Sequence, residues 1–369
     1  MTKLRVAVVG AGHLGRIHTR IARGLDEIEL VAVADPVETT RRSVGDEFGV
    51  RTVADYRELV GEIDAAIVAA PTALHHVIGL NLLSGGVALL MEKPIAPTSA
   101  EADELVALAR RQSLVLQVGQ VERFNPALTS VAADVRDPKF ITATRTSGYT
   151  FRSTDIGVVL DMMIHDLDIV LSLAKSPVEA VDAFGVSVLG GHEDLATARL
   201  TFASGCVAQL SASRVSFQQQ RTMSIFTSRA CTSINFASQE ATVVHPRDDV
   251  LRREFGVEKL SAAERTYCRE HLFDELLIRT EHKPAAVNAI EEEQRDFVRA
   301  IRDGVAPRVD GTAGRNAVAL AEMILERIEE HAWDGKSGGR QGPFAMPALP
   351  IIAGSTQPAV EREQRRRAG

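Results

Sequence analysis

Apolar residues along the chain form two kinds of pattern, and the change between them falls near residue 121. The first part alternates short apolar runs with amphipathic stretches, which is typical of buried parallel strands joined by helices. Strands are predicted over 4–9, 30–34, 65–70, 87–91 and 114–118, and helices over 17–25 and 99–111. This alternation predicts a doubly wound parallel sheet.

Beyond residue 126 the apolar pattern is that of successive strands separated by short turns. Strands are predicted over 140–147, 178–189, 196–202, 206–215, 222–227, 232–236 and 241–244, and helices over 161–174, 287–303 and 313–330. Such a succession predicts a largely antiparallel sheet. We expect helices on one face of that sheet, and another subunit or solvent on the other.

The first predicted strand runs into a glycine-rich turn, GAGHLG at 10–15, and then into a helix. Glycines allow a backbone to approach a pyrophosphate, and the amides at a helix N-terminus bind its charge. The turn therefore predicts a dinucleotide site rather than a purely structural bend. Its expected cofactor contacts are Gly10, Gly12, His13, Leu14 and Gly15.

Asp35 follows the second predicted strand, twenty residues beyond Gly15. A carboxylate at this position can accept hydrogen bonds from the adenosine ribose. Its charge would repel the 2′-phosphate of NADP, so we expect NAD. Arg41 and Arg42 follow closely and could accommodate a phosphate, which keeps NADP as the less favoured alternative.

Other strand ends carry further polar residues, and the carboxyl ends of parallel strands meet at one edge of the sheet. A lysine where a buried strand emerges can point at a bound cofactor, which makes Lys93 a candidate for chemistry. His75 is interpreted as a residue at a helix start near the cofactor more than as a catalyst. The residues expected to line this edge are Pro71, Thr72, His75, Glu92, Lys93 and Gln120.

A second group of chemical residues lies in the predicted helix 161–174. Asp161, His165 and Asp168 fall at positions i, i+4 and i+7 and would share one stripe of that helix. A histidine with a carboxylate one turn to either side would be oriented and could take a proton from an alcohol. A helix surface with a local ion pair is the alternative interpretation.

Composition agrees with a soluble enzyme. The chain has 369 residues, 45% of them hydrophobic and 25% charged, and a net charge of −7 that gives no basic footprint for nucleic acid. Its three cysteines are scattered without metal-ligand spacing, so we expect no metal site. The same scattered cysteines favour a reducing compartment. Without a signal-peptide pattern or an apolar run long enough to cross a membrane, the expected location is the cytoplasm.

Four motifs together resemble the signature set of the Gfo/Idh/MocA oxidoreductases in order and spacing. They are 10–15 with His18, Pro71-Thr72 with His75, Glu92-Lys93-Pro94, and Asp161 with His165. The resemblance covers about residues 1–332. It implies a Rossmann domain followed by an open-faced antiparallel sheet domain, with the active site between them and dimers or tetramers formed through the sheet. It also implies that Lys93, Asp161 and His165 gather at the nicotinamide and the substrate, and that the Lys93–Pro94 peptide is cis.

Two longer stretches, 119–126 and 155–168, resemble the branch of this family that includes enzymes oxidising the 3-hydroxyl of UDP-N-acetylglucosamine. The implied product is a 3-keto sugar, which a partner aminotransferase using pyridoxal phosphate would convert to the 3-amino sugar. One departure from the branch is Gln120, where a histidine is expected.

Arg123 and Asn125, in the first of these stretches, are candidates for contacts with the substrate phosphate or acetamido group, alongside Lys93, Asp161 and His165. A salt bridge at the domain junction and a capping amide are equally compatible with Arg123 and Asn125, respectively.

These observations predict two domains and a tail. Residues 1–121 form the Rossmann domain, 122–332 form the substrate and oligomerisation domain, and 333–369 are expected to be a partly disordered tail. Helices within 287–332 could pack back on the first domain.

Other functions stay open on the same scaffold. They are an inositol or other free-sugar dehydrogenase, an NAD-dependent glycosidase, and a non-catalytic dinucleotide-sensing regulator. The presence of both Lys93 and His165 disfavours the regulator, because a protein that only binds has no chemical need for them.

Overall fold

The computed structural model describes residues 2–151, 155–333 and 339–345. Its first domain contains a six-stranded, wholly parallel sheet in the order β3-β2-β1-β4-β5-β6. The strands are β1 Leu4–Val9, β2 Ile28–Ala34, β3 Thr52–Val53, β4 Ala65–Val68, β5 Ala88–Glu92 and β6 Leu116–Gly119. This is the doubly wound order of a Rossmann fold, so the predicted parallel sheet is confirmed.

Helices cover both faces of this sheet, which is why its central strands are apolar along their whole length. They are α1 His13–Gly24, α2 Glu38–Phe48, α3 His75–Ser84 and α4 Ser99–Arg111, with 3₁₀ turns at Tyr56–Leu59 and Thr72–Leu74. Helix α4 begins with a capping box in which Thr98 and Glu101 bind each other's backbone amides. Strand order reverses between β1 and β4, and the glycine turn after β1 lies at that switch point.

The second domain contains an eight-stranded sheet in the order β14-β13-β12-β11-β7-β10-β9-β8. Its strands are β7 Phe140–Thr146, β8 Val178–Val186, β9 Leu195–Phe202, β10 Val207–Ser213, β11 Gln220–Phe226, β12 Cys231–Asn235, β13 Glu240–Pro246 and β14 Leu277–His282. Only the β7 and β10 pair is parallel. The largely antiparallel sheet is confirmed, with β14 as a strand that the sequence pattern did not predict.

The described residues of the second half contain the helices α5 Pro126–Ser130, α6 Ile164–Ala174, α7 Asp248–Leu251, α8 Ala262–Glu270, α9 Ala289–Asp303 and α10 Gly311–Glu330. Of these, α5, α6 and α10 pack against one face of the sheet. Residues alternate along β7, where Ile141, Ala143 and Arg145 are buried and the residues between them are half-buried. The buried positions join a core with Leu167 of α6 and Leu320 of α10.

The predicted helix over 161–174 needs one correction. Residues Val159–Met163 form a π-helical turn, and α-helical geometry begins only at Ile164. A π turn contains an extra residue, so Asp161 does not lie at the regular helical spacing from His165.

The last two helices pack back on the first domain, and α10 also contacts the second. Helix α9 packs against α1 and β5, whereas α10 packs against α4 and β6 on one side and α6 and β8 on the other. Beyond α10, Trp333 donates its ring N–H to the carbonyl of Gly342, and Ser187 donates its amide to Pro343. Residues 339–345 of the predicted tail are therefore packed against the second domain, and its remaining residues, 334–338 and 346–369, lie outside the described residues.

Among the described residues, no helix has the length and apolar character needed to cross a membrane.

Candidate active site

The glycine turn after β1 has the shape that a pyrophosphate needs. A Cβ on Gly15 would lie 1.8 Å from the carbonyl oxygen of Gly10, so only glycine permits α1 to approach β1 this closely. A Cβ on Gly12 would meet nothing within 4 Å, so that position opens onto free space at the start of α1. His13 and Leu14 form the exposed first turn of that helix. Open space and helix amides at this point fit a dinucleotide.

Asp35 lies at the end of β2, next to the glycine turn. Its carboxylate accepts the Ala11 amide at 2.8 Å and the Val37 amide at 2.8 Å. Arg41 donates to the carbonyls of Asp35 and Pro36, so a guanidinium is also held at this edge. A carboxylate held beside the turn is in the position expected for ribose recognition.

Beside β4, Pro71 and Thr72 start a 3₁₀ turn that leads into His75. The imidazole of His75 lies 2.8 Å from the carbonyl oxygen of Pro94 and 2.8 Å from that of Ala70. Burial lowers its pKa despite these two acceptors. His75 therefore links the end of β4 to the loop after β5, which agrees with a supporting role rather than a catalytic one.

Glu92 connects the Lys93 loop to a buried polar group. Its carboxylate lies 2.7 Å from Nε2 of His18 and accepts the amide of Lys93 at 3.2 Å. Burial disfavours its charge, but His18 and Lys93 outweigh burial and lower its pKa. Gln294 of α9 donates to Nδ1 of His18 at 3.0 Å, which fixes the ring. The role of Glu92 in this structure is to hold the backbone from which Lys93 projects.

Glu293 of α9 lies behind Glu92 and is 1% exposed. Neither of its carboxylate oxygens has a hydrogen-bond partner among the described residues. Burial, and after it the neighbouring charges of Glu92 and Asp296, raise its pKa well above the ordinary range. Side-chain atoms of His18, Glu92 and Glu293 lie within 4.8 Å of one another and belong to the kinds that bind metals. The expected absence of a metal stays a prediction.

Lys93 crosses from the first domain to the π turn of the second. Its ammonium donates to the carbonyl oxygen of Asp161 at 2.5 Å and lies 3.3 Å from the Asp161 carboxylate. The peptide between Lys93 and Pro94 is cis, as the family resemblance implied. The structure thus brings together two candidate catalytic residues that are separated by 68 positions in the sequence.

His165 lies in the first turn of α6. His165 and Lys93 both line a cavity between the domains, which is described below. Nδ1 of His165 is buried without a hydrogen-bond partner among the described residues, so Nε2 is the nitrogen that a ligand can reach. Burial and the nearby cations Lys93, Arg145 and Arg221 lower the pKa of His165 well below its usual value. The imidazole is therefore neutral at physiological pH and can accept a proton.

The expectation that carboxylates one turn to either side would orient His165 is wrong. Asp161 pairs with Lys93, and buried Asp168 pairs with Arg123 at 3.3 Å. Burial raises the pKa of Asp168 to about 6, while Arg123 opposes that rise. The π turn and the buried side of α6 place the two carboxylates on other partners.

Arg123 and Asn125 take the structural roles that the sequence left open. Besides its pair with Asp168, Arg123 accepts a hydrogen bond at its carbonyl from Arg308. The Asn125 side chain accepts the Ala127 amide at 3.1 Å and so caps α5. Its amide group donates to Glu122 and to the carbonyl of Phe236. Neither residue lines the cavity, and a substrate contact by either stays a prediction.

Gln120, which follows β6, is 1% exposed, and neither of its side-chain polar atoms has a partner among the described residues. Its contact with the cofactor stays a prediction.

The cavity between the domains measures about 270 Å³ and contains arginines that the sequence analysis did not select. Arg145 makes two bonds to Asp166 and one to Glu122, each between 2.8 and 3.0 Å. These carboxylates raise the pKa of Arg145, although burial works against the charge. Arg214 pairs with Asp194 at 2.7 Å, and Arg221 reaches the cavity from β11. No local motif marks these arginines, because the pairing of distant strands brings them together.

Together, the cofactor edge and the Lys93, Asp161 and His165 group define a dinucleotide-dependent oxidoreductase. Residues 4–120 match the family described as "Oxidoreductase family, NAD-binding Rossmann fold". Residues 127–232 match the "GFO/IDH/MocA C-terminal domain". The chain belongs to the Gfo/Idh/MocA family of oxidoreductases, and NAD as its cofactor is confirmed.

Relatives over most of the chain are sugar and inositol dehydrogenases. The UDP-N-acetylglucosamine 3-dehydrogenase of Acidithiobacillus ferrooxidans is 31% identical over 330 residues, covering 89% of this chain and 98% of the relative. An inositol 2-dehydrogenase of Rhizobium meliloti is 26% identical over 347 residues, covering 89% and 97% of the two chains.

A solved structure of the Acidithiobacillus ferrooxidans enzyme has a TM-score of 0.78 at 30% identity, covering 89% of this chain and 99% of that one. A levoglucosan dehydrogenase with NADH and levoglucosan has a TM-score of 0.74 at 16% identity, covering 89% and 97%, and shares the fold.

Proposed function

We propose that this protein uses NAD to oxidise the 3-hydroxyl of UDP-N-acetylglucosamine to the 3-keto sugar. The contact of Lys93 with Asp161 beside a neutral His165 carries the chemical part of this proposal. The substrate is supported by the 31% identical relative, which is matched over 98% of its length. The coarser activity, an NAD-dependent dehydrogenase of this family, follows from family membership.

The residues divide the chemistry among them. Bound NAD would supply the acceptor for the hydride of the sugar carbon. His165 takes the hydroxyl proton at Nε2, because burial and nearby cations keep its ring neutral. Lys93 donates a hydrogen bond to the same oxygen and positions it, while Asp161 holds the ammonium in place.

The cofactor contacts are expected along the edge already described. Gly10, Gly12 and Gly15 would admit the pyrophosphate, and Asp35 would accept the ribose hydroxyls. The 3-keto product has the carbonyl group that an aminotransferase using pyridoxal phosphate requires, which makes such an enzyme the expected pathway partner. A homodimer or homotetramer and a cytoplasmic location also stay proposals.

An inositol or free-sugar dehydrogenase is the second candidate, favoured by the inositol 2-dehydrogenase relative at 26% identity. The two candidates differ in whether the substrate carries a nucleoside diphosphate. A non-catalytic regulator is less favoured, because binding alone does not explain Lys93 placed beside His165.

The test is NADH formation with UDP-N-acetylglucosamine, UDP-N-acetylgalactosamine, UDP-glucose, myo-inositol and glucose, each assayed separately. A trap for the keto product, such as a coupled aminotransferase, removes that product and so draws the reaction forward even if its equilibrium is unfavourable. Reduction of NAD with the UDP-N-acetylhexosamines alone would support the proposal. Turnover of myo-inositol or glucose without turnover of any nucleotide sugar would replace it with the second candidate.

A further inference from the structure

Two arginines lie directly opposite each other on neighbouring strands of the second sheet. In the antiparallel pairing of β7 and β11, Arg221 is the register partner of Arg145. Arg145 shares its face of β7 with Ile141 and Ala143, and Arg221 shares the matching face of β11 with Met223. Both arginines therefore project from the helix-covered face, at the end of the sheet that borders the cavity.

Like charges directly opposite each other on a sheet destabilise it unless other groups compensate them. Arg145 is compensated, because Asp166 and Glu122 both bind its guanidinium. Arg221 is exposed, and no carboxylate among the described residues lies within ion-pair distance of it. The charge of Arg221 acts through space on Asp166, which binds Arg145, but its guanidinium makes no ion pair of its own among the described residues.

The charges of the cavity wall are unevenly matched. Of its acidic residues, Asp161 is paired with Lys93, and Glu122 is paired with Arg145. Arg214 is paired with Asp194, which is 0% exposed. The charge of Arg221 is thus directed at the cavity without a matching carboxylate among the described residues that line it. An arginine in that position is complementary to an anion, and its planar guanidinium suits a phosphate in particular.

We infer that Arg221 binds the diphosphate of the nucleotide-sugar substrate and so sets the preference for a nucleotide sugar over a free sugar. The inference rests on the proposed function and names the residue that would decide between its two candidates. Lys93, His165 and Arg221 contribute to the wall of one cavity, so a substrate that reacts beside Lys93 and His165 would also face Arg221.

The first experiment compares the wild type with Arg221→Gln in steady-state assays. The KM for UDP-N-acetylglucosamine should rise roughly ten- to a hundredfold, since a charged hydrogen bond is lost, while kcat changes little. The inhibition constant of UDP should rise in parallel, and the KM for NAD should not change. Arg199→Gln is the matched control, because Arg199 is an exposed arginine on β9 of the same sheet and lines a different cavity.

A second experiment separates this inference from the choice of sugar. Calorimetry of the NAD-saturated protein with UDP and with UMP measures diphosphate binding without any turnover. Binding of UDP that Arg221→Gln weakens at least tenfold would support the inference even if UDP-N-acetylglucosamine is not the substrate. Equal UDP affinity in the wild type and the variant, or no UDP binding by the wild type, would overturn it.

Discussion

The ammonium of Lys93 lies 2.5 Å from the carbonyl oxygen of Asp161. This contact joins the loop after β5 in the Rossmann domain to the π turn that precedes α6 in the second domain. The ammonium of this candidate catalytic residue is thus positioned by a backbone carbonyl as well as by a carboxylate, and its place depends on how the two domains pack.

Replacing Lys93 with methionine removes the charge and keeps most of the side-chain volume. We expect kcat to fall roughly 10²- to 10⁴-fold, because the variant cannot polarise or orient the reacting oxygen. Binding of NAD, measured by calorimetry, should stay close to that of the wild type. Lys139→Met is the control, since Lys139 pairs with Asp137 on the surface and should tolerate the change. An unchanged turnover number in Lys93→Met would refute the proposed role.

The pH dependence of kcat/KM should report His165. Because the base must be neutral, the rate should fall as the pH drops through the pKa of His165. Burial and nearby cations lower that pKa, so the acid limb should lie below the ordinary histidine value of about 6.5. Lys93 is one of those cations, so the Lys93→Met substitution should raise the pKa of His165. The residual activity of this variant should therefore begin to fall at a higher pH than the activity of the wild type. A limb at the same pH in both proteins would show that His165 is not the titrating base.

Gly12→Ala should separate folding from cofactor binding. Gly12 has φ of −67°, which alanine adopts, and its added Cβ would meet no protein atom within 4 Å. The variant should unfold like the wild type without NAD. It should lose the stabilisation that NAD supplies, about 2.7 kcal/mol at roughly a hundredfold excess over Kd, because the methyl occupies the pyrophosphate's path.

Gly24→Ala is the control for this change, since its Cβ also meets nothing within 4 Å but lies at the other end of α1. Thermal unfolding with and without NAD measures both effects. An undiminished NAD shift in Gly12→Ala would contradict the placement of the pyrophosphate at this turn.

Glu293→Gln should change how stability depends on pH. Burial raises the pKa of Glu293 in the folded protein, so the folded state holds a proton that the unfolded chain releases above about pH 4.3. The free energy of unfolding therefore falls as the pH rises from that value through the raised pKa. The neutral glutamine removes this contribution, and the variant should gain stability relative to the wild type as the pH rises through that window.

Urea unfolding at a series of pH values measures this difference. Glu292→Gln, an exposed neighbour on the same helix, should leave the pH dependence as it is. If the free energy of unfolding of Glu293→Gln depended on pH as that of the wild type does, Glu293 would not be the buried group that takes up the proton.

Much of the first domain could be predicted because its signals are local. The apolar run of β1 followed directly by Gly10, Gly12 and Gly15 combines a strand pattern with turn chemistry over a dozen residues. The structure places Asp35 beside that turn, as its spacing indicated. By contrast, the two-residue strand β3 and the strand β14 carry too weak a pattern, and the sequence did not reveal them.

The surroundings of His165 could not be predicted from helical spacing. Asp161 and His165 are four residues apart, but the π turn at Val159–Met163 changes the register between them. Asp168 faces Arg123, whose position depends on the 3₁₀ turn at Val121–Phe124.

The sequence by itself determined the class of fold, the dinucleotide turn, the cofactor preference and the identity of Lys93, Asp161 and His165 as candidates. These properties depend on the periodicity and chemistry of neighbouring residues, which a single chain displays directly. Only the tertiary structure decided which charges are neutralised, because Arg145 and Arg221 meet through strand pairing between residues 76 positions apart. Electrostatic interactions act through space and depend on burial, so the charge balance of the cavity exists only once the domains are folded together.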